Sequence, residues 1–235
     1  MKQFIASLLF LIIGLSTIHA QYGIRLKYGN QSGDLLDFAT ESFNSSTDVQ
    51  ASNFEVGVDY WIKPWDKRVE FTPELALGIS NFDEAGTSLS TTSFSFILNT
   101  RFYPMDFGSD CDCPTFSKDG SFISKGFYFE LSPGLSLHQN SLETSSWPQE
   151  REQFSSSSNT IAPRLALGAG IDIGVSNLLT VNPFISYNLI AQNDFTDVLT
   201  EADELLDING QDTNMRQLFF GLRLSFRPNY DPFRR

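Results

Sequence analysis

Eight stretches of this chain alternate apolar and polar residues with a period of two, the clearest being Phe127-Tyr128-Phe129-Glu130-Leu131-Ser132-Pro133-Gly134-Leu135-Ser136-Leu137. Odd positions there are apolar and even positions are polar or small, which marks a strand with one greasy and one wet face. The eight are expected near 22–29, 53–62, 69–80, 93–103, 126–138, 160–175, 178–191 and 215–227, with no helical segment to cover their apolar faces. A sheet of this kind closes on itself in lipid and turns its polar faces inward, so the expected fold is all-β, an eight-stranded antiparallel transmembrane β-barrel.

An export signal stands in front of the strands. Lys2 is the only charge in the first twenty residues, and an almost wholly apolar run from Phe4 to Leu15 leads to the small Ala20. A dozen apolar residues fall short of the roughly 20 that a membrane helix needs, so the segment reads as a signal peptide cleaved after Ala20. The expected divisions are 1–20 signal peptide, 21–227 barrel and 228–235 C-terminal extension, with export to the outer membrane. The chain carries a formal net charge of -12, which offers no basic surface for nucleic acid. Its mean hydropathy of -0.15 is no argument against a barrel, because half of each membrane strand is polar.

The strand faces sort the charges. Inward positions collect Arg25, Lys27, Arg101, Arg164 and Arg223 against Glu55, Asp59, Glu70, Glu74, Glu130 and Asp172, whereas outward positions are expected to be free of charge. An eight-stranded barrel has an interior just wide enough for side chains, so these five bases and six acids are expected to pair with one another. The links after the first, third, fifth and seventh strands run about 12 to 25 residues, while those after the second and sixth are short, the asymmetry of external loops and periplasmic turns; the exception is the link after the fourth strand, Pro104 to Lys125, which this topology places in the periplasm. Pro73, Pro133, Pro163 and Pro183 fall inside strands, where each removes a ladder hydrogen bond, and are expected at bulges or near strand ends.

The Gln21 start, Tyr22-Gly23-Ile24-Arg25-Leu26-Lys27-Tyr28-Gly29, the repeated Pro-x-Leu-x-Leu strands and the closing Phe220-Gly221-Leu222-Arg223-Leu224-Ser225-Phe226 resemble the small outer-membrane β-barrel proteins of Bacteroidota, the porin-family and PorT-like barrels. The resemblance spans about residues 21 to 226 and specifies architecture more than activity. It implies contact with outer-membrane lipid and lipopolysaccharide, and a periplasmic or secretion-system partner. Gly221, Leu224 and Phe226 in the last strand resemble the signal read by the barrel-assembly machinery, although Phe219 stands where a polar residue is usual.

Three further sets of residues are candidate sites. Ser136, His138 and Glu130 share the inward face of one strand, but Glu130 is eight residues from His138, about 26 Å at roughly 3.3 Å each, too far to orient it as a catalytic carboxylate would. Cys111 and Cys113 form a candidate disulfide in the insert from Pro104 to Lys125, and no histidine beside them supports a metal site. The acidic stretch Asp194 to Asp212 matches a calcium loop only in part and reads as a solvated external link. The expectation is a non-enzymatic barrel without cofactor, acting as a structural, binding or secretion-accessory component. The alternative is a small diffusion pore or transporter.

Overall fold

The structure, a computed structural model, describes residues 21–33, 51–62, 68–84, 87–104, 126–144, 154–176, 178–193 and 213–226. Expectations for the signal peptide, the 63–67 turn, Cys111 and Cys113, the acidic 194–212 link and the 228–235 extension lie outside the described residues.

The chain forms β1 (Gln21–Gly33), β2 (Ala51–Trp61), β3 (Val69–Glu84), β4 (Thr87–Phe102), β5 (Phe127–Thr144), β6 (Phe154–Ile171), β7 (Ile173–Gly174), β8 (Leu179–Asn193) and β9 (Thr213–Phe226). Strands β6 and β7 both pair with β8 and are one stave interrupted at Asp172, so the nine segments make eight staves. Each stave is antiparallel to the next, and β1 pairs with both β2 and β9, which closes the barrel. The path of partners Gly23, Asp59, Glu74, Ile97, Gly134, Arg164, Ile190, Met215 returns to β1 at Gly33, ten residues beyond its start. A stagger of that size over eight staves corresponds to a strand tilt of about 40°.

The four prolines sit in this closed sheet without bulges, which corrects the expectation. All four side chains face outward, and each ring removes the donor toward one neighbour only. At Pro73 the β2–β3 ladder stops after Asp59↔Glu74 and resumes unshifted as the bridge Ile62↔Phe71, while Pro73 still pairs with Leu98 on its other side. At Pro133 the β4–β5 ladder skips between Ile97↔Gly134 and Thr100↔Leu131. Pro163 lies next to the last β6–β8 pair at Arg164, and Pro183 lies at the gap that separates β6 from β7. The recorded register shift is elsewhere, between Ile190 and Asn193.

Outward positions form an apolar band. Leu77, Ile161 and Phe220 are 60%, 70% and 62% exposed, and similar side chains cover every stave. The run from Phe71 to Ile79 covers about 26 Å of strand and about 20 Å of barrel height at this tilt, near the 25 Å apolar band of a membrane barrel. Toward the upper end, to which β1 runs, the next outward residues after Tyr28, Phe54, Ile79, Phe94, Leu137, Ile161 and Leu218 are Asn30, Ser52, Asn81, Thr92, Gln139, Asn159 and Arg216, all exposed. Arg216 corrects the expectation of an uncharged outward face.

Two of the upper links are shorter than expected. The β3–β4 ladder continues to Glu84↔Thr87, leaving only 85–86 between the strands, and β5 and β6 remain paired to Thr144↔Phe154. Serine, threonine and asparagine hide this extension in the sequence, because there the alternation of apolar and polar residues fades. The result is a four-stranded flap, β3 to β6, continuing above the apolar band. Residues Phe154 to Pro163 pair with β5 and lie beyond the last described pair with β8.

Candidate functional site

The period-two alternation that turns the apolar side chains out turns their polar neighbours into the lumen. All eleven charged residues assigned inward from the sequence are buried there. Their chemistry divides the lumen into a charged lower part and a neutral upper part.

In the lower part Arg25 is the hub. Its Nη1 and Nη2 donate to Oε1 and Oε2 of Glu130 at 2.8 and 2.7 Å, a bidentate pair reaching from β1 to β5. Its Nε donates to Asp59 at 3.3 Å and lies 3.5 Å from Glu74, and Nη2 also meets Thr72 Oγ1 at 3.3 Å. Asp59 accepts two bonds from Arg223, at 2.7 and 2.5 Å, while Glu130 accepts one from Arg101 Nε at 2.8 Å. Lys27 Nζ bridges Glu55 and Glu74 at 2.5 and 2.9 Å, and the other oxygen of Glu55 receives Arg164 Nη1 at 3.0 Å. All five bases and four of the six acids thus belong to one connected network.

Glu70 and Asp172 stand apart from it. The Tyr103 hydroxyl lies 3.1 Å from Glu70 Oε2 and 2.9 Å from Asp172 Oδ2, so among the described residues these two acids share a phenol and meet no base, and Asn182 donates to Asp172 as well. This corrects the expectation that every inward acid meets a cation.

Aromatic rings complete the lower plug. The Arg25 guanidinium lies 5.3 Å from the Phe184 ring centroid and that of Arg101 4.5 Å from Tyr128, within cation–π range. Tyr103, Tyr128 and Phe184 pack as one buried cluster. Glycine makes the room: a Cβ on Gly221 would overlap the Phe184 ring, and one on Gly170 would lie 2.5 Å from the Tyr128 hydroxyl. Gly221 therefore has a packing role in the lumen, in addition to any in assembly, whereas Leu224 and Phe226 lie on the outward face.

The upper part uses neutral groups. Gln31 Oε1 accepts from Asn53 at 3.2 Å and Gln217 at 2.9 Å, Thr91 donates to Asn140 at 2.9 Å, and Ser95 and Ser136 share a bond of 2.7 Å, with Ser95 also accepting from Arg164 Nη1 at 3.0 Å, the point where the neutral part joins the charged network. Ala162, Ile190 and Met215 form an apolar patch beside them. His138 is buried with neither ring nitrogen bonded among the described residues. The Ser136, His138 and Glu130 set is not assembled, since Ser136 bonds Ser95 and Glu130 bonds Arg25 and Arg101. Phe184 and Tyr103 were missed as lumen residues from the sequence. Parity was the available signal for Phe184, which stands between inward Asn182 and Ser186 on β8.

No family model matches the sequence, and no curated protein matches it. Among solved structures the chain is similar to Neisserial surface protein A, with 13% identity, 88% of this chain and 96% of that chain covered, and a TM-score of 0.47. It is similar to Ail, the attachment invasion locus protein of Yersinia pestis, with 11% identity, coverage of 89% and 100%, and a TM-score of 0.42. A major outer membrane protein from Thermus thermophilus gives 11% identity, coverage of 88% and 99%, and a TM-score of 0.45. These are likenesses of outline, and the closed eight-stave barrel rests on the ladder described above.

Proposed function

We propose that this chain is a non-enzymatic integral outer-membrane protein, a closed barrel that anchors an external surface and does not conduct. The observation that carries this reading is the Arg25–Glu130 bidentate pair across the lumen, backed by Phe184 and the joined ion pairs on either side. A solute crossing would have to separate buried charges that have no bulk water to receive them, at several kcal/mol for each group left unpaired. The apolar outward band supports a membrane setting, and the polar β3–β6 flap supports a binding, structural or secretion-accessory role at the cell exterior. The export signal and the final-strand motif fit delivery to the barrel-assembly machinery. In this reading the termini lie in the periplasm, where a periplasmic or secretion-system partner would meet the 105–125 insert. Reconstitution into planar bilayers tests the closed lumen: the expected result is insertion without stable conductance, and reproducible open-channel steps from pure protein would establish the pore instead.

A further inference from the structure

We infer that Arg216 is a contact for a lipid phosphate in the outer leaflet, specifically a phosphate of lipid A, a proposal that rests on the membrane reading above. Every other described basic residue of the strands, Arg25, Lys27, Arg101, Arg164 and Arg223, is buried in the lumen and ion-paired. Arg216 lies on the opposite face, exposed, with no hydrogen bond or ion pair among the described residues. An outward arginine costs about 2 to 4 kcal/mol at the bilayer midplane and about 0 to 1 near the interface, so its height on the barrel matters.

Its height is fixed by its neighbours. Arg216 follows Leu218 at the step where the outward face changes from apolar to polar on six other staves. Its cross-strand partner on β1 is Ser32, and Asn30 and Asn214 lie two residues away on the same face. On the other flank stands Leu189. A guanidinium with hydroxyl and amide groups on one side and an aliphatic side chain on the other suits an anionic headgroup with acyl chains lying below it. With the termini in the periplasm, as in the reading above, the upper rim is the external one, which puts this group in the outer leaflet, where lipid A supplies the phosphates. The other described exposed arginine, Arg68, precedes β3 at the opposite end and donates to the Pro104 carbonyl at 3.2 Å, so it serves as an internal control.

The test uses the refolded full chain with R216Q, R216K and R68Q variants, each first inserted into liposomes and checked for the heat-modifiable gel shift of a folded barrel. Retention of diphosphoryl lipid A, dephosphorylated lipid A and phosphatidylglycerol is then measured by native mass spectrometry. The expected result is about a tenfold loss of diphosphoryl lipid A in R216Q, as for one charge-assisted contact. R216K should retain most of it, R68Q all of it, and dephosphorylated lipid A should bind weakly whichever residue is present. Equal retention by wild type and R216Q would overturn the proposal, as would a loss confined to phosphatidylglycerol. Failure of the wild-type chain to insert would instead overturn the membrane reading itself.

Discussion

The two parts of the lumen solve the same packing problem with different chemistry. Both are lined by side chains from all around the barrel, yet the lower one concentrates arginine, lysine, aspartate and glutamate in a single network, while the upper one uses amides and hydroxyls in short local chains. Charges reach farther and take more partners, so a few of them tie together strands that do not adjoin: Arg25 on β1 meets Glu130 on β5. Neutral amides such as Gln31 and Asn53 connect adjacent strands. The lower part is therefore where the barrel is most strongly braced, and the upper part should tolerate change.

The largest expected effect comes from removing the hub. Arg25→Met leaves each of Glu130, Asp59 and Glu74 with a single cation, Arg101, Arg223 and Lys27 respectively, and removing one partner from a buried ion-pair network costs about 3 to 5 kcal/mol. Urea unfolding of the barrel in lipid, followed by tryptophan fluorescence, measures it. A loss under about 1 kcal/mol would mean that water enters the lower lumen and that the two parts do not differ as described.

Next in size is the fit of Phe184 over Gly221. Gly221→Val forces the ring to move, and overpacking of this kind costs about 1 to 3 kcal/mol. Phe184→Leu in the same chain should recover part of the loss, whereas no recovery would assign the glycine to assembly alone. Gln31→Ala should cost about 1 to 2 kcal/mol, since it removes the acceptor of two neutral amide bonds in the upper part. The same urea titration ranks it against Arg25→Met, and an equal or larger loss would reverse the order of the two parts.

Legibility in the sequence follows the same division. Strand faces were readable wherever bulky apolar residues alternate with charges, as at Phe54-Glu55-Val56-Gly57-Val58-Asp59, because burial in lipid and burial in the lumen select opposite residue types. The alternation could say which charges share the lumen, but not which partner each would find. The Arg25–Glu130 pair depends on the ten-residue stagger of the closed barrel, a property of all eight staves together. The tops of β3 to β6 were illegible for a different reason: above the apolar band serine, threonine and asparagine take over both sets of positions and the apolar–polar alternation fades. Proline misled, because its rule considers both edges of a strand, while in a ladder the missing donor affects one neighbour and the register survives on the other. Arg216 was readable by parity as an outward charge and stood as an exception within an otherwise uncharged face.

His138 offers the smallest effect and the most sensitive check on the comparison. Its ring is buried in the upper part, and its two nitrogens bond nothing among the described residues. Desolvating an unbonded polar group costs roughly 1 to 3 kcal/mol, so an apolar side chain of similar size should remove that cost while keeping most of the packing. His138→Leu is therefore expected to leave stability unchanged or to raise it slightly, by up to about 1 kcal/mol, in the same urea titration. A clear loss of stability would show that the imidazole is bonded through water or through a link outside the described residues. The upper lumen would then be a connected polar network like the lower one, and tolerance to substitution would no longer separate the two parts.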